Sequence, residues 1–278
     1  MTQSENPILQ LIEAFQNSRP LSPEPGSAAE LERAEFREPT AVDTAYSLGG
    51  QLIGCSEDNL AALVFLSLSE KFAIAPWILG RAVLESCATA LWLLDPDLDV
   101  RERVGRSLGV RFASMESQTK LANAGTSGAI QQKAKDKLDA VVCRAEQLGY
   151  PAQKTERGRV TQVASKKPFW TDLVQDMLGN SEIYRVLSGF VHSDYSTILQ
   201  LATTTVSAYD GGKLQMLNPN SLVPTMAAHS AASYARAAWA LALQYGGNTP
   251  ELVLALEKQF DALELSTDNK TRPWRARE

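Results

Sequence analysis

Between Phe72 and Leu94 the only charged residues are Arg81 and Glu85, and they stand four apart. A run this apolar belongs in an interior, and residues four apart are neighbours on a helix. Charges in the middle of such a helix persist only when paired, because burying an isolated charge is very costly. Two charges at mid-helix are also expensive in lipid, so a membrane span is not expected. A helix of this kind needs other helices to cover it.

The rest of the chain supplies them. Asn6-Pro7 opens a short amphipathic helix with Ile8, Leu11, Ile12 and Phe15 on one face. Pro20, Pro23, Pro25 and Gly26 then break the chain. Residues 1–39 read as an N-terminal helix and proline-rich arm that packs on the main body or on a second subunit. Thr40 starts a helix reaching about Gly54, and Ser56 caps the next. Pro76 opens a third, which stops at Asp95-Pro96-Asp97. Asp97 or Asp99 caps a long helix through about Asn123, and Gly125 and Ser127 turn the chain into another that ends near Gly149.

Residues 151–168 gather Lys154, Arg157, Arg159, Lys166 and Lys167 among few large apolar residues, the pattern of a basic loop. It is either a solvated connection or a landing strip for phosphate, with Lys166 and Lys167 as its phosphate-binding residues. Helical signals resume at Trp170–Leu178, and Asn180 or Ser181 caps the helix that carries His192. Leu199–Val206 is β-branched and fits helix or strand, with helix favoured; Ser221–Tyr245 is an alanine-rich interior helix; Thr249-Pro250 starts the last, ending near Leu265. No strand ladder is long enough for a sheet. The expectation is an all-α multi-helix bundle: an arm over 1–39, one helical domain over 40–265 and a flexible tail over 266–278.

With 278 residues, 44% of them hydrophobic, the chain can bury a sizeable core. Its net charge of −5 argues against a non-specific nucleic-acid coat and leaves room for a local basic patch. Cys55, Cys87 and Cys143 are odd in number and far apart, and read as buried free thiols of a cytoplasmic protein. The first residues lack the basic-then-apolar run of a secretory signal. With only two histidines, His192 and His229, a catalytic zinc site is improbable. No cofactor motif is present, and no cofactor or metal is expected.

Chemistry concentrates in one segment. Tyr184, Ser188 and His192 follow each other at intervals of four and so line one helical ridge, with Arg185 seven before the histidine on nearly the same face. Gly189 sits among them, although a helix interior disfavours glycine by about 1 kcal/mol against alanine. An arginine and a histidine suffice for one metal-free reaction. His192 can take a proton from an RNA 2′-hydroxyl or return one to the leaving oxygen, while Arg185 clamps the phosphate. Tyr184, Ser188, Arg81 and Glu85 would support them, with Glu85 tuning the imidazole. The bland alternatives are a satisfied helix histidine and an internal Arg81–Glu85 pair that sets helix register.

Other features read as structural. His229 suits a core or interface position, and Asp95, Asp97 and Asp99 suit helix capping. Gly105-Arg106-Ser107-Leu108-Gly109 falls inside a long helix, away from the strand a nucleophile elbow needs.

The Arg-x-x-x-Glu of Arg81 and Glu85, followed by the Tyr-x-x-x-Ser-x-x-x-His of Tyr184, Ser188 and His192, resembles a bacterial helical family of unassigned function, DUF5677. The likeness spans roughly the central half of the chain. That family in turn resembles the HEPN superfamily, helical dimers whose ribonuclease members carry Arg-x(4–6)-His. Arg185 and His192 enclose six residues, within that range, but Val186 stands where those nucleases usually have a polar residue. The resemblance implies an HEPN-like core and a homodimer. It also implies RNA as partner and a metal-independent ribonuclease of a defence or toxin system; no membrane and no DNA partner are expected. Many HEPN members are non-catalytic, so a helical binding or scaffold module of unassigned ligand is the alternative.

Overall fold

A computed structural model of the protein describes residues 6–18, 22–69, 71–125, 127–194, 196–198, 203–207, 213–217, 223–247 and 250–262. The expected tail over 266–278 lies outside the described residues.

The fold is an all-α multi-helix bundle with two small hairpins. Its centre is the antiparallel pair α3 (Pro39–Ser67) and α4 (Ala75–Leu94). The long alanine-rich α9 (Val223–Tyr245) lies against both. Small residues let α9 approach closely, and Ala231, Ala235 and Ala238 are fully enclosed. α5 (Val100–Asn123) and α6 (Gly128–Gln147) form a second antiparallel pair beside α3. α7 (Trp170–Leu178) and α8 (Ser181–Val191) cover the remaining side of α4. Among the described residues α4 alone is long and apolar enough to cross a membrane, and most of it is buried in this bundle.

The N-terminal segment packs on the body. α1 (Pro7–Ser18) buries Ile8, Leu11, Ile12 and Phe15 against α3, α9 and α10 (Pro250–Ala262). The arm contains a further helix that the prolines obscure, α2 (Ala28–Glu35), capped by the Ser27 hydroxyl. From it Glu32 reaches Arg103 on α5.

Four expectations are corrected. α3 runs unbroken through Gly54 and Ser56, because the Ser56 hydroxyl donates back to the Ile53 carbonyl and Glu57 is buried, accepting from Tyr234 at 2.8 Å. The basic stretch forms a hairpin of β1 (Ala152–Lys154) and β2 (Val160–Val163). Its strands are too short to show a period-two pattern. Thr203–Ser207 is not helix but strand β3, paired antiparallel with β4 (Lys213–Leu217), in keeping with its β-branched run. Cys87 is buried, but Cys55 and Cys143 are exposed, on the outer faces of α3 and α6.

The Gly-x-Ser-x-Gly match lies in the interior of α5, where the buried Ser107 hydroxyl donates to the Val104 carbonyl at 2.8 Å. Gly109 is there for close approach: a Cβ would overlap the Ser165 carbonyl oxygen in the connection after β2. A backbone atom cannot swing aside. Gly109→Ala is therefore expected to cost about 1–3 kcal/mol, the range for overpacking, read from urea unfolding curves.

Candidate functional site

Four residues named from the sequence meet between α4 and α8. Arg81 Nε donates to Glu85 Oε1 at 2.7 Å, as helix neighbours four apart can. Arg81 also donates to the Tyr184 hydroxyl at 3.2 Å and to Ser188 Oγ at 3.3 Å. The Tyr184 hydroxyl in turn donates to Glu85 Oε1 at 2.8 Å. The Arg81 guanidinium lies 5.2 Å from the Tyr184 ring centre. The pair is sheltered, with side-chain exposures of 16% for Arg81 and 22% for Glu85. It is thus the internal ion pair that the apolar helix requires, extended to a second helix by a phenol and a serine.

Gly189 is a site of close packing. A Cβ there would press on Thr197, which is tied to Asp194 just after α8.

Arg185 and His192 stand outside this cluster. Both are exposed, and among the described residues neither side chain has a hydrogen-bond or ion-pair partner. His192 is the residue that ends α8, one turn beyond Ser188, to whose carbonyl its backbone N–H donates at 3.0 Å. It thus continues the Tyr184–Ser188 ridge without reaching Glu85, whose partners are Arg81 and Tyr184.

The two phosphate-binding candidates part company. Lys166 is exposed, with Nζ 5.5 Å from the Phe169 ring centre. Lys167 is half-buried and points over the Trp170 ring, 2.9 Å from its centre. Burial pushes the Lys167 ammonium down to about 8, against the opposing pull of the nearby Glu85 carboxylate. Elsewhere in the basic hairpin, Lys154 pairs with Glu146 at 3.5 Å and Arg159 with Glu116 at 2.8 Å. Acids on α5 and α6 therefore pair with two of the five basic residues that marked this stretch.

Burial, with the Glu85 carboxylate adding to it, pushes the Tyr184 phenol up to about 12. The two shifts act in opposite directions on stability. The unfolded chain keeps the lysine proton to about 10.5, and the folded one releases it from about 8. Across that window the unfolded state binds more protons, so this group makes stability rise with pH. The tyrosine contribution is complete below pH 10 and is lost as pH climbs through about 12. Lys167→Met is expected to flatten the rise above pH 8 in denaturant midpoints measured against pH.

No family model, curated protein or solved structure matches this chain.

Among the described residues, no three or more His, Cys, Asp or Glu side chains are grouped to hold a metal ion. Sequence reasoning missed a different feature next to the cluster. A cavity of about 320 Å³ opens between α4, α8 and α9, and both Trp77 and His229 line it. Its residues come from three separated segments, and no local spacing could have announced it.

Proposed function

We propose that the chain is a non-catalytic helical binding module. The Arg81–Glu85–Tyr184–Ser188 cluster braces α4 to α8, and a ligand engages the groups around α8 that the brace leaves free. One observation carries this reading: the members of the cluster bond to one another. Glu85 Oε1 accepts from both Arg81 and Tyr184, and Arg81 directs one further N–H to each of Tyr184 and Ser188. An acid that tunes an imidazole has to reach it, and Glu85 is bonded to Arg81 and Tyr184 instead. The acidic balance of the chain and the ion pairs of the basic hairpin support the same reading.

A second reading is an HEPN-like, metal-independent ribonuclease. His192 would be its acid and base, Arg185 its phosphate clamp, and Lys166 and Lys167 further phosphate contacts. The observation that favours it is the exposure of both Arg185 and His192 on α8. A homodimer and a cytoplasmic setting are part of either proposal.

One assay separates the readings. Purified chain is incubated with RNA in EDTA, and the products are analysed for 2′,3′-cyclic phosphate ends. The binding-module reading expects intact RNA with wild type and with His192→Ala alike. Cyclic-phosphate ends made by wild type and lost in His192→Ala would sink it. His192→Ala is also expected to leave stability within about 0.5 kcal/mol of wild type, as for an exposed side chain without partners.

A further inference from the structure

The cavity between α4, α8 and α9 has apolar walls, made by Trp77, Ile183, Val186 and Met226. Its polar groups are Glu182, Thr225 and His229. Trp77 is 3% exposed and stacks on Phe190 with ring centres 4.5 Å apart. Its indole Nε1 is the one buried side-chain polar atom among the described residues without a hydrogen-bond partner. Buried donors are satisfied in the great majority of proteins, and an exception in a residue that lines a cavity asks for an explanation. What this donor lacks is an acceptor.

The walls restrict which acceptor can come. Among the described residues no lysine or arginine lines the cavity, and its acid is Glu182. Burial holds His229 below the ordinary histidine range, so its imidazole is neutral at physiological pH. An anion would meet the Glu182 carboxylate on the cavity wall. A neutral carbonyl meets no such penalty.

We propose that this cavity binds a small, neutral, apolar molecule carrying one carbonyl acceptor, such as an amide, a lactone or a ketone. The carbonyl takes the Trp77 indole N–H, and the body of the ligand packs on Ile183, Val186 and Met226. The volume lies at the lower end of the range for small-molecule sites, which are largely apolar with a few polar groups to fix orientation. Because Nε1 is covered in the free protein, entry requires the indole to slide along Phe190, a motion compatible with the preference of aromatic pairs for offset stacking. The proposal rests on the binding-module reading and gives it a ligand class.

The test is calorimetric titration of the full chain with hydrocinnamamide and with hydrocinnamate, which share a skeleton and differ in charge. The amide is expected to bind at least about tenfold more tightly than the anion. Trp77→Phe keeps a ring on Phe190 and deletes the N–H, and is expected to weaken the amide by about tenfold while helical circular dichroism is retained. Val186→Trp fills the cavity and is expected to abolish binding while helical circular dichroism is retained. Equal binding of amide and anion, undiminished amide binding by Trp77→Phe, or no binding of either compound overturns the proposal. The RNA assay reads the underlying module separately: failed titrations with intact RNA remove this ligand alone, whereas cleavage removes the module.

Discussion

Arg103→Ala unfolds about 3–5 kcal/mol more easily than wild type, the loss expected when one member of a buried ion pair is removed. The Arg103 side chain is 1% exposed and its fork holds Glu32 at 2.9 to 3.2 Å. It also donates to the Leu93 carbonyl at 2.7 Å and to the Asp95 carbonyl at 3.2 Å. Those carbonyls end α4, where no intrahelical donor remains for them. The same guanidinium lies 5.1 Å from the Tyr46 ring centre, and the Tyr46 hydroxyl donates to Glu32 at 3.0 Å. Truncation strands the carboxylate of α2 and uncaps α4 in one step. Thermal melts followed by circular dichroism read the loss, at about 2–4 °C for each kcal/mol in a chain of this size. Arg103→Lys is expected to recover little, since an ammonium lacks the planar fork. A melting temperature for Arg103→Ala equal to wild type would remove this anchor from the account.

Glu85→Ala is the second large effect, at about 2–3 kcal/mol, below the fully buried case because the pair is partly exposed. It leaves the sheltered Arg81 without its anion and the Tyr184 hydroxyl without its acceptor. Ser188→Ala loses one hydrogen bond of 3.3 Å and is expected to cost about 1 kcal/mol or less. The order Glu85→Ala, then Ser188→Ala, then His192→Ala near zero separates the brace from the exposed end of α8. Hydrogen exchange adds a local reading: amides of α8 are expected to lose protection in Glu85→Ala before those of α3 do.

Much of this was legible because it is local. The charges of Arg81 and Glu85 in an apolar helix demanded a partner, and the interval of four supplied it. Tyr184 and Ser188 shared a ridge by the same arithmetic, and both turned toward α4. Asp99 capped α5 as its position implied, with its carboxylate accepting from Glu102 N–H. What stayed hidden depends on contacts far along the chain. Glu32 and Arg103 are joined by folding and by nothing in their neighbourhoods. The break expected at Gly54 and Ser56 did not form, because buried partners such as Tyr234 hold the middle of α3 helical. The charge of Lys154 and Arg159 looked free until α5 and α6 brought Glu116 and Glu146 beside them. Glu85 Oε1 takes its hydrogen bonds from Arg81 and Tyr184, and the expected link to His192 is not among them.

The central claim is that the α4–α8 cluster is one cooperative brace, and a double-mutant cycle measures it most directly. Unfolding free energies are determined for wild type, Glu85→Ala, Tyr184→Phe and the double variant. The expected coupling lies within the range of about 0.5–3 kcal/mol for residues in one hydrogen-bonded network. Losses that add to within about 0.3–0.5 kcal/mol, as for independent sites, would contradict it.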